Sequence, residues 1–304
     1  MMEIGVIGAG AMGKNHIRVY SEMKGVEQVT VFDLDHKAAE EVGKKFDANI
    51  APSFLKLLDS VDAISICVPT GVHHKVAREA IDHGVHMLIE KPICRTAPEA
   101  EQLVREIPDD LIVGVGHIER FNPIVSEIQR ILKKPLYIEL KRHNPASVRI
   151  SDSSVVEDLM IHDIDIIFHA FCKSDYSIQC MGNDDICSVL LEFDDVPVHL
   201  SASRKSSKKI RSIYIEEENR TIEGDFMAQE IFVHRKPGQY SLENDRYVQE
   251  NIIEKVLVNK VEPLRVELKT FIDCVKKGTP FPISPQQGLK NLQVCEEIRK
   301  MCKQ

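Results

Sequence analysis

Three groups of residues have the types and spacing that chemistry requires. Gly8-Ala9-Gly10-Ala11-Met12-Gly13 directly follows a β-branched run at residues 4–7 and opens a helical pattern. In such a GxGxxG loop the first glycine permits a tight turn, the second lets a pyrophosphate approach the backbone, and the third lets the helix lie close to the sheet. Free amides at the helix start favour an anion. S-adenosylmethionine enzymes and structural glycine turns share the pattern, so its context matters. Asp33 supplies that context, standing at the end of the second strand pattern, 20 residues beyond Gly13. There a carboxylate takes both ribose hydroxyls of adenosine. An acid at that point repels a 2′-phosphate and no Arg follows it, which favours NAD over NADP. The other reading of Asp33 is a helix cap ahead of His36.

The second group is Glu90-Lys91-Pro92, at the carboxyl end of a strand pattern, the sheet edge where ligands of such architectures bind. Pro92 restricts Lys91 to extended geometry, so its ammonium is held at the strand mouth. A Lys beside a nicotinamide can lower the pKa of a substrate alcohol or relay its proton. The plainer reading is a surface Glu/Lys pair before a turn. Pro69-Thr70, ending the preceding strand, and His73, opening its helix, are placed in the same crevice, with capping or solvation as the alternative for His73.

The third group lies in the run 155–169, where Asp158, His162, Asp165 and His169 recur at i, i+4, i+7 and i+11 and form one stripe on an otherwise apolar helix. Charges on a buried helix are costly unless paired or used. Asp158 lies one turn from His162 and can orient its imidazole for general acid/base work. A solvated polar face is the alternative, and His169 reads as structural.

The elements that must position these groups follow from periodicity. Strand patterns at 4–7, 28–32, 63–68, 86–89 and 111–115 alternate with helical spacing, which gives an N-terminal Rossmann doubly wound parallel sheet over residues 1–119. Beyond that the rhythm changes. Helical patterns at 123–132 and 155–171 flank a strand at 136–141, strand-like runs fill 177–233, and helices at 263–277 and 285–301 close the chain. Gly182-Asn183, Asp194-Asp195 and Ser206-Ser207 are turn candidates. Residues 120–304 therefore read as a C-terminal α+β domain with an open, mainly antiparallel sheet, for substrate binding and oligomerisation.

The 304 residues suffice for about two domains with cores of their own. With 39 Lys and Arg against 47 Asp and Glu, the net charge of −8 disfavours nucleic acid as a partner. No apolar run is long enough for a membrane span, and the first residues lack a signal-peptide pattern, so a cytoplasmic protein is expected. The eight cysteines, at 67, 94, 172, 180, 187, 274, 295 and 302, show no CxxC and no zinc spacing. They read as core thiols in a reducing compartment, with no metal site.

In combination, Gly8, Gly10 and Gly13, Pro69 with His73, Glu90-Lys91-Pro92, and Asp158 with His162 resemble the Gfo/Idh/MocA oxidoreductases, which couple a Rossmann domain to an α/β domain with an open antiparallel sheet. The likeness runs in order through the first half of the chain and holds only in general layout over the last 130 or so residues. It implies that Lys91, Asp158 and His162 surround the reacting carbinol. The residues expected to contact NAD are Gly8, Gly10, Ala11, Met12, Gly13, Asp33, Pro69, Thr70, His73, Glu90 and Lys91. The phrases Gly116-His117-Ile118-Glu119-Arg120-Phe121-Asn122-Pro123 and Ile161-His162-Asp163-Ile164-Asp165 are similar to a narrower branch, the UDP-N-acetylglucosamine 3-dehydrogenases. Ile93 stands where Leu often follows the tripeptide. A nucleotide-sugar diphosphate requires local cations, and Arg120, Asn122, Arg142, His143 and Arg149 are the candidate substrate contacts, with Lys141 beside them. The run Arg204, Lys205, Lys208, Lys209 and Arg211 reads as a solvated hairpin turn. The expected activity is oxidation of a sugar hydroxyl to a ketone, with a homodimer or homotetramer formed through the C-terminal sheet. A dehydrogenase of a free polyol or sugar, a non-enzymatic NAD-binding sensor and a methyltransferase are the rival readings.

Overall fold

A computed structural model of the chain describes residues 2–145, 153–237, 241–243, 246–248 and 251–302. Two compact units result, one formed by Met1–Ile118 with Glu262–Gln293, the other by Glu119–Val261 with Val294–Gln304.

In the first unit, β1 (Met2–Ile7), β2 (Val26–Phe32), β3 (Asn49–Ile50), β4 (Ala63–Ile66), β5 (His86–Glu90) and β6 (Val113–Gly116) form one sheet in the order β3-β2-β1-β4-β5-β6. Every pair is parallel. All four residues of β4 and of β6 are buried, the pattern of strands covered on both faces. The covering helices are α1 (Ala11–Ser21), α2 (His36–Phe46), α3 (Phe54–Leu58), α4 (His73–Asp82) and α5 (Ala97–Glu106). Their starts are set locally. Asp35 accepts from the Lys37 and Ala38 amides at the head of α2, Ser53 caps α3, and Thr96 caps α5 just ahead of Pro98. The edge strand β3, absent from the sequence reading, has two exposed residues and therefore no alternation to detect.

The expected second domain of 120–304 loses residues 262–293 to the first unit. There α8 (Pro263–Lys277) and the start of α9 (Pro285–Cys302) dock. The Phe281 ring occupies the space a Cβ at Gly114 would fill, Val115 N–H donates to the Ile283 carbonyl at 3.1 Å, and Asn291 bonds the buried His117 ring at 3.1 Å.

In the second unit, α6 (Pro123–Ile131) precedes β7 (Pro135–His143), and α7 (Ile161–Ile166) is flanked by π-helical turns at Val156–Met160 and Ile167–Phe171. The expected continuous helix is thus α-helical only at its centre. Next come β8 (Tyr176–Gly182), β9 (Ile186–Phe193), β10 (Val196–Ser203), β11 (Ile210–Glu217), β12 (Arg220–Asp225) and β13 (Glu230–Arg235). A separate hairpin of β14 (Ser241–Glu243) and β15 (Arg246–Val248) leads to β16 (Ile253–Val256). The sheet runs β16-β13-β12-β11-β7-β10-β9-β8, and among its pairs only β7 with β10 is parallel. Asp194 and Asp195 both take positive φ in the two-residue turn between β9 and β10, as a tight hairpin requires. The Ser206-Ser207 segment is not a hairpin turn, because β7 lies between β10 and β11. The basic run there is accordingly not simply solvated. Arg204 is buried and donates to the Ser153 carbonyl, and Arg211 pairs with Glu119. Strand β9 alternates exposed and buried along its length, so one face of this sheet carries the core under α6, α7 and the end of α9, while among the described residues no helix covers the other. Among the described residues no helix is long and apolar enough to cross a membrane.

Candidate active site

The glycine loop of the first unit is a backbone device. Gly8 sits at φ +101°, and a Cβ there would stand 2.6 Å from the Cys67 carbonyl oxygen; a Cβ on Gly13 would overlap the Gly8 carbonyl. Neither position accepts a side chain. Gly10 differs, since nothing lies within 4 Å of its missing Cβ. It is also the N-cap of α1, with no side-chain cap on the helix amides. An open, uncapped helix start fits a dinucleotide pyrophosphate. Asp33 follows β2, and its Oδ2 accepts the Ala9 amide at 2.6 Å while Oδ1 accepts the Asp35 amide at 2.8 Å. The helix cap is Asp35. Asp33 instead ties the strand end to the glycine loop, and each oxygen keeps a lone pair for a ribose hydroxyl. Gly10 and Ala11 are exposed and Met12 and Asp33 half-buried, while Gly8 and Gly13 are buried and shape the loop from within. Leu34 is exposed beside Asp33.

Pro69 and Thr70 open a short 3-10 turn after β4. His73 departs from both of its readings. It is buried, it does not cap α4, and its ring nitrogens lie 2.9 Å from the Pro92 and Val68 carbonyls. It staples the turn after β4 to the turn after β5, so its ring is not available to a cofactor. Burial lowers its pKa against the pull of those carbonyls.

The tripeptide ends β5, with a cis bond between Lys91 and Pro92. Glu90 is 7% exposed; its Oε1 meets His16 Nε2 at 3.0 Å and its Oε2 accepts the Lys91 amide at 3.3 Å. It lies within the fold and is no surface partner of Lys91. Burial alone would raise the Glu90 carboxyl, but His16 and Lys91 outweigh it and hold it below the ordinary value. His16 was missed by sequence reasoning. It stands on the buried face of α1 beside Ile17 and Tyr20, where a polar residue in an apolar stripe was the available signal. Glu267 of α8 is also fully buried, and its carboxylate lies within 4.8 Å of the His16 and Glu90 ligand atoms. No spacing rule links residues 16, 90 and 267.

In the second unit, Asp158 and His162 are half-buried and lie on the π-helical turn and α7 respectively. The stripe seen in the sequence divides here. Asp165 is 1% exposed and its Oδ2 accepts Arg120 Nε at 2.8 Å, a pair completed by a second contact through Nη2. Asp163, on the other side of His162, accepts from Arg142 Nε at 2.9 Å and Nη2 at 2.7 Å. Arg142 also reaches Glu119 at 2.9 Å, and Arg211 meets the same Glu119 oxygen at 2.8 Å. Burial opposes the Arg142 charge, but Asp163 and Glu119 outweigh it and raise its pKa. Burial would raise Glu119, yet Arg142 and Arg211 hold it low, whereas for Asp163 burial prevails and its pKa rises.

These pairs correct part of the expected substrate set. Arg142, 1% exposed between two carboxylates and against the Phe226 ring, is an internal ion. Asn122 is buried as the N-cap of α6, and its amide donates to the Phe226 carbonyl at 2.9 Å. Arg120 is committed to Asp165. His143 is half-buried and bonds Ser201 at 3.0 Å, and burial lowers its pKa. Arg149 lies outside the described residues.

Residues 2–121 match the model of the oxidoreductase family GFO_IDH_MocA, with an NAD-binding Rossmann fold. Over these residues the chain is similar to the Gfo/Idh/MocA oxidoreductases. It is accordingly an NAD-dependent oxidoreductase. The chain is 27% identical over 307 residues to the UDP-N-acetylglucosamine 3-dehydrogenase of Acidithiobacillus ferrooxidans, covering 98% of this chain and 96% of that one. The crystal form P21 of that enzyme superimposes with a TM-score of 0.87 over 99% of this chain and 97% of its own. The inositol 2-dehydrogenase/D-chiro-inositol 3-dehydrogenase of Lacticaseibacillus casei is 26% identical, covering 94% and 87% of the two chains.

Proposed function

We propose that the protein oxidises the C3 hydroxyl of UDP-N-acetylglucosamine, or of a related UDP-sugar, to a ketone. The observation that carries this reading is the full-length similarity to the Acidithiobacillus enzyme, at 27% identity and a TM-score of 0.87. Gly8, Gly10, Ala11, Met12, Gly13 and Asp33 hold the dinucleotide, with Pro69, Thr70 and Lys91 toward its nicotinamide end. Bound NAD supplies a hydride acceptor. The Lys91 ammonium hydrogen-bonds the substrate oxygen as negative charge develops there. His162 takes the hydroxyl proton, and Asp158 orients its imidazole. Glu90, braced by His16, fixes the backbone from which Lys91 projects.

The test is the rate of NADH formation with UDP-N-acetylglucosamine, with myo-inositol and with free N-acetylglucosamine. Turnover of the nucleotide sugar well above the other two is expected. Turnover of inositol with none of the UDP-sugar would overturn the substrate assignment and favour a polyol dehydrogenase, the reading that the Lacticaseibacillus enzyme supports. Cofactor binding without turnover of any polyhydroxy compound would point to an NAD sensor. The same reading expects a homodimer or homotetramer built on the open face of the eight-stranded sheet, in the cytoplasm.

A further inference from the structure

Three cysteines distant in sequence meet in the second unit. Cys302 ends α9, with its Sγ 3.2 Å from that of Cys180 on β8 and 3.7 Å from that of Cys187 on β9. The pairing of β8 with β9 sets Gly182 opposite Cys187 and Cys180 opposite Val189, so the two strand cysteines are diagonal neighbours on one face. That face receives the end of α9, where Cys180 also contacts the Ile298 carbonyl at 3.4 Å. A cavity of about 150 Å³ opens beside the group, lined by Ser154, Val156, Asn183, Cys187, Arg299 and Cys302. Cys180 and Cys302 are each partly exposed. None of these three sulfurs is in a disulfide.

We propose that Cys302 and Cys180 form a thiol pair that low-molecular-weight disulfides oxidise reversibly, linking the last helix to the edge strand β8. The pair spans 122 residues of sequence. Its sulfurs need approach by only about an ångström to reach the roughly 2.05 Å of a disulfide. Cys302 lies between the other two thiols and borders the cavity, so it is the point of attack. Its thiolate displaces one glutathione thiolate from glutathione disulfide and forms a mixed disulfide. Cys180 then attacks the Cys302 sulfur and expels the second glutathione. Two electrons pass from the protein sulfurs to glutathione, and the two thiol protons end on the two glutathione molecules released. Burial pushes the Cys180 thiol up to about 12, so it acts as the second, resolving thiol and not as the first nucleophile. Cys187 is pushed up in the same way and stands next in line.

The full-length protein, reduced and desalted, is incubated with glutathione disulfide, alkylated and digested with trypsin and Asp-N. Both enzymes are needed, because trypsin leaves Cys180 and Cys187 on one peptide, residues 174–204, whereas cleavage before Asp184 separates them. The expected product is a dominant cross-link between the peptide of residues 301–303 and the fragment that carries Cys180, reversed by dithiothreitol. C302S should abolish intramolecular linkage, and C180S should move it to Cys187 with Cys302. Persistence of a glutathione adduct on Cys302 without linkage, full alkylation of all three thiols, or preferential pairing of other cysteines would overturn the proposal. These readouts do not depend on the substrate.

Discussion

The glycine loop of the first unit offers backbone amides, whereas the helical segment 156–171 of the second offers side chains, and different physics holds each in place. The loop needs no charged support. Its shape comes from positions where a Cβ would strike a carbonyl, and its single carboxylate, Asp33, is anchored by two amides. The helical segment begins and ends in π turns and carries His162 just ahead of Asp163 and Asp165, each of which is fixed by a buried or half-buried arginine. A backbone site is specified by what is missing from a few residues. A side-chain site on a helix with irregular turns needs its orientation set from outside, and here buried ions set it.

The largest effect that would sharpen this contrast is on turnover. Replacing His162 or Lys91 with Ala should lower kcat by roughly 10²- to 10⁴-fold, with NAD affinity nearly unchanged for His162→Ala. Steady-state rates that barely move would remove both residues from the chemistry. Next comes stability. Arg142→Met strands Asp163 in the interior and should cost about 3–5 kcal/mol in urea unfolding; a cost below about 1 kcal/mol, the range of an exposed pair, would show that the network is not structural. Asp33→Ala should weaken NAD binding by roughly 10- to 100-fold, the value of hydrogen bonds to a charged group, and calorimetry that finds the affinity intact would reduce Asp33 to a brace for the loop.

A smaller effect concerns pH. Because Glu90 titrates below its unfolded value, its contribution is present above the ordinary carboxyl range and is lost as pH falls through the depressed value. In that window the unfolded chain binds more protons, so stability rises with pH, and Glu90→Gln should flatten the slope. An unchanged acid limb in denaturation at several pH values would mean that His16 does not hold Glu90 ionised. The smallest effect expected is for Asn122→Ala, about 1 kcal/mol for a lost helix cap, with KM for the sugar unaltered; a large rise in KM would return Asn122 to the substrate site.

Much of the first unit was legible in sequence because its signals are local. GxGxxG, the carboxylate after β2 and the Glu-Lys-Pro turn each declare themselves within a few residues, and parallel strands buried on both faces read as apolar runs. The two-residue β3 was too short to show a pattern. The buried bridging role of His73 was not readable, since its two carbonyl partners come from separate turns. In the second unit the alternation of β9 and the Asp194-Asp195 turn were readable. The insertion of β7 between β10 and β11 was not, because strand order is a long-range choice. That error also turned Arg204 and Arg211 into surface charges.

Residue types and spacing alone determined the parallel Rossmann sheet, the dinucleotide loop and the candidate reactive groups, since each depends on covalent neighbours and on a repeat of two or 3.6 residues. Tertiary structure decided which ionisable side chains are spent on the interior. Arg142, Asp163, Glu119, His16 and Glu90 are chemically indistinguishable from site residues until burial and their partners are known. The return of residues 262–293 to the first unit and the meeting of three cysteines have the same origin. A charge or thiol acquires its role from groups brought near by folding, and distance along the chain carries no record of that approach.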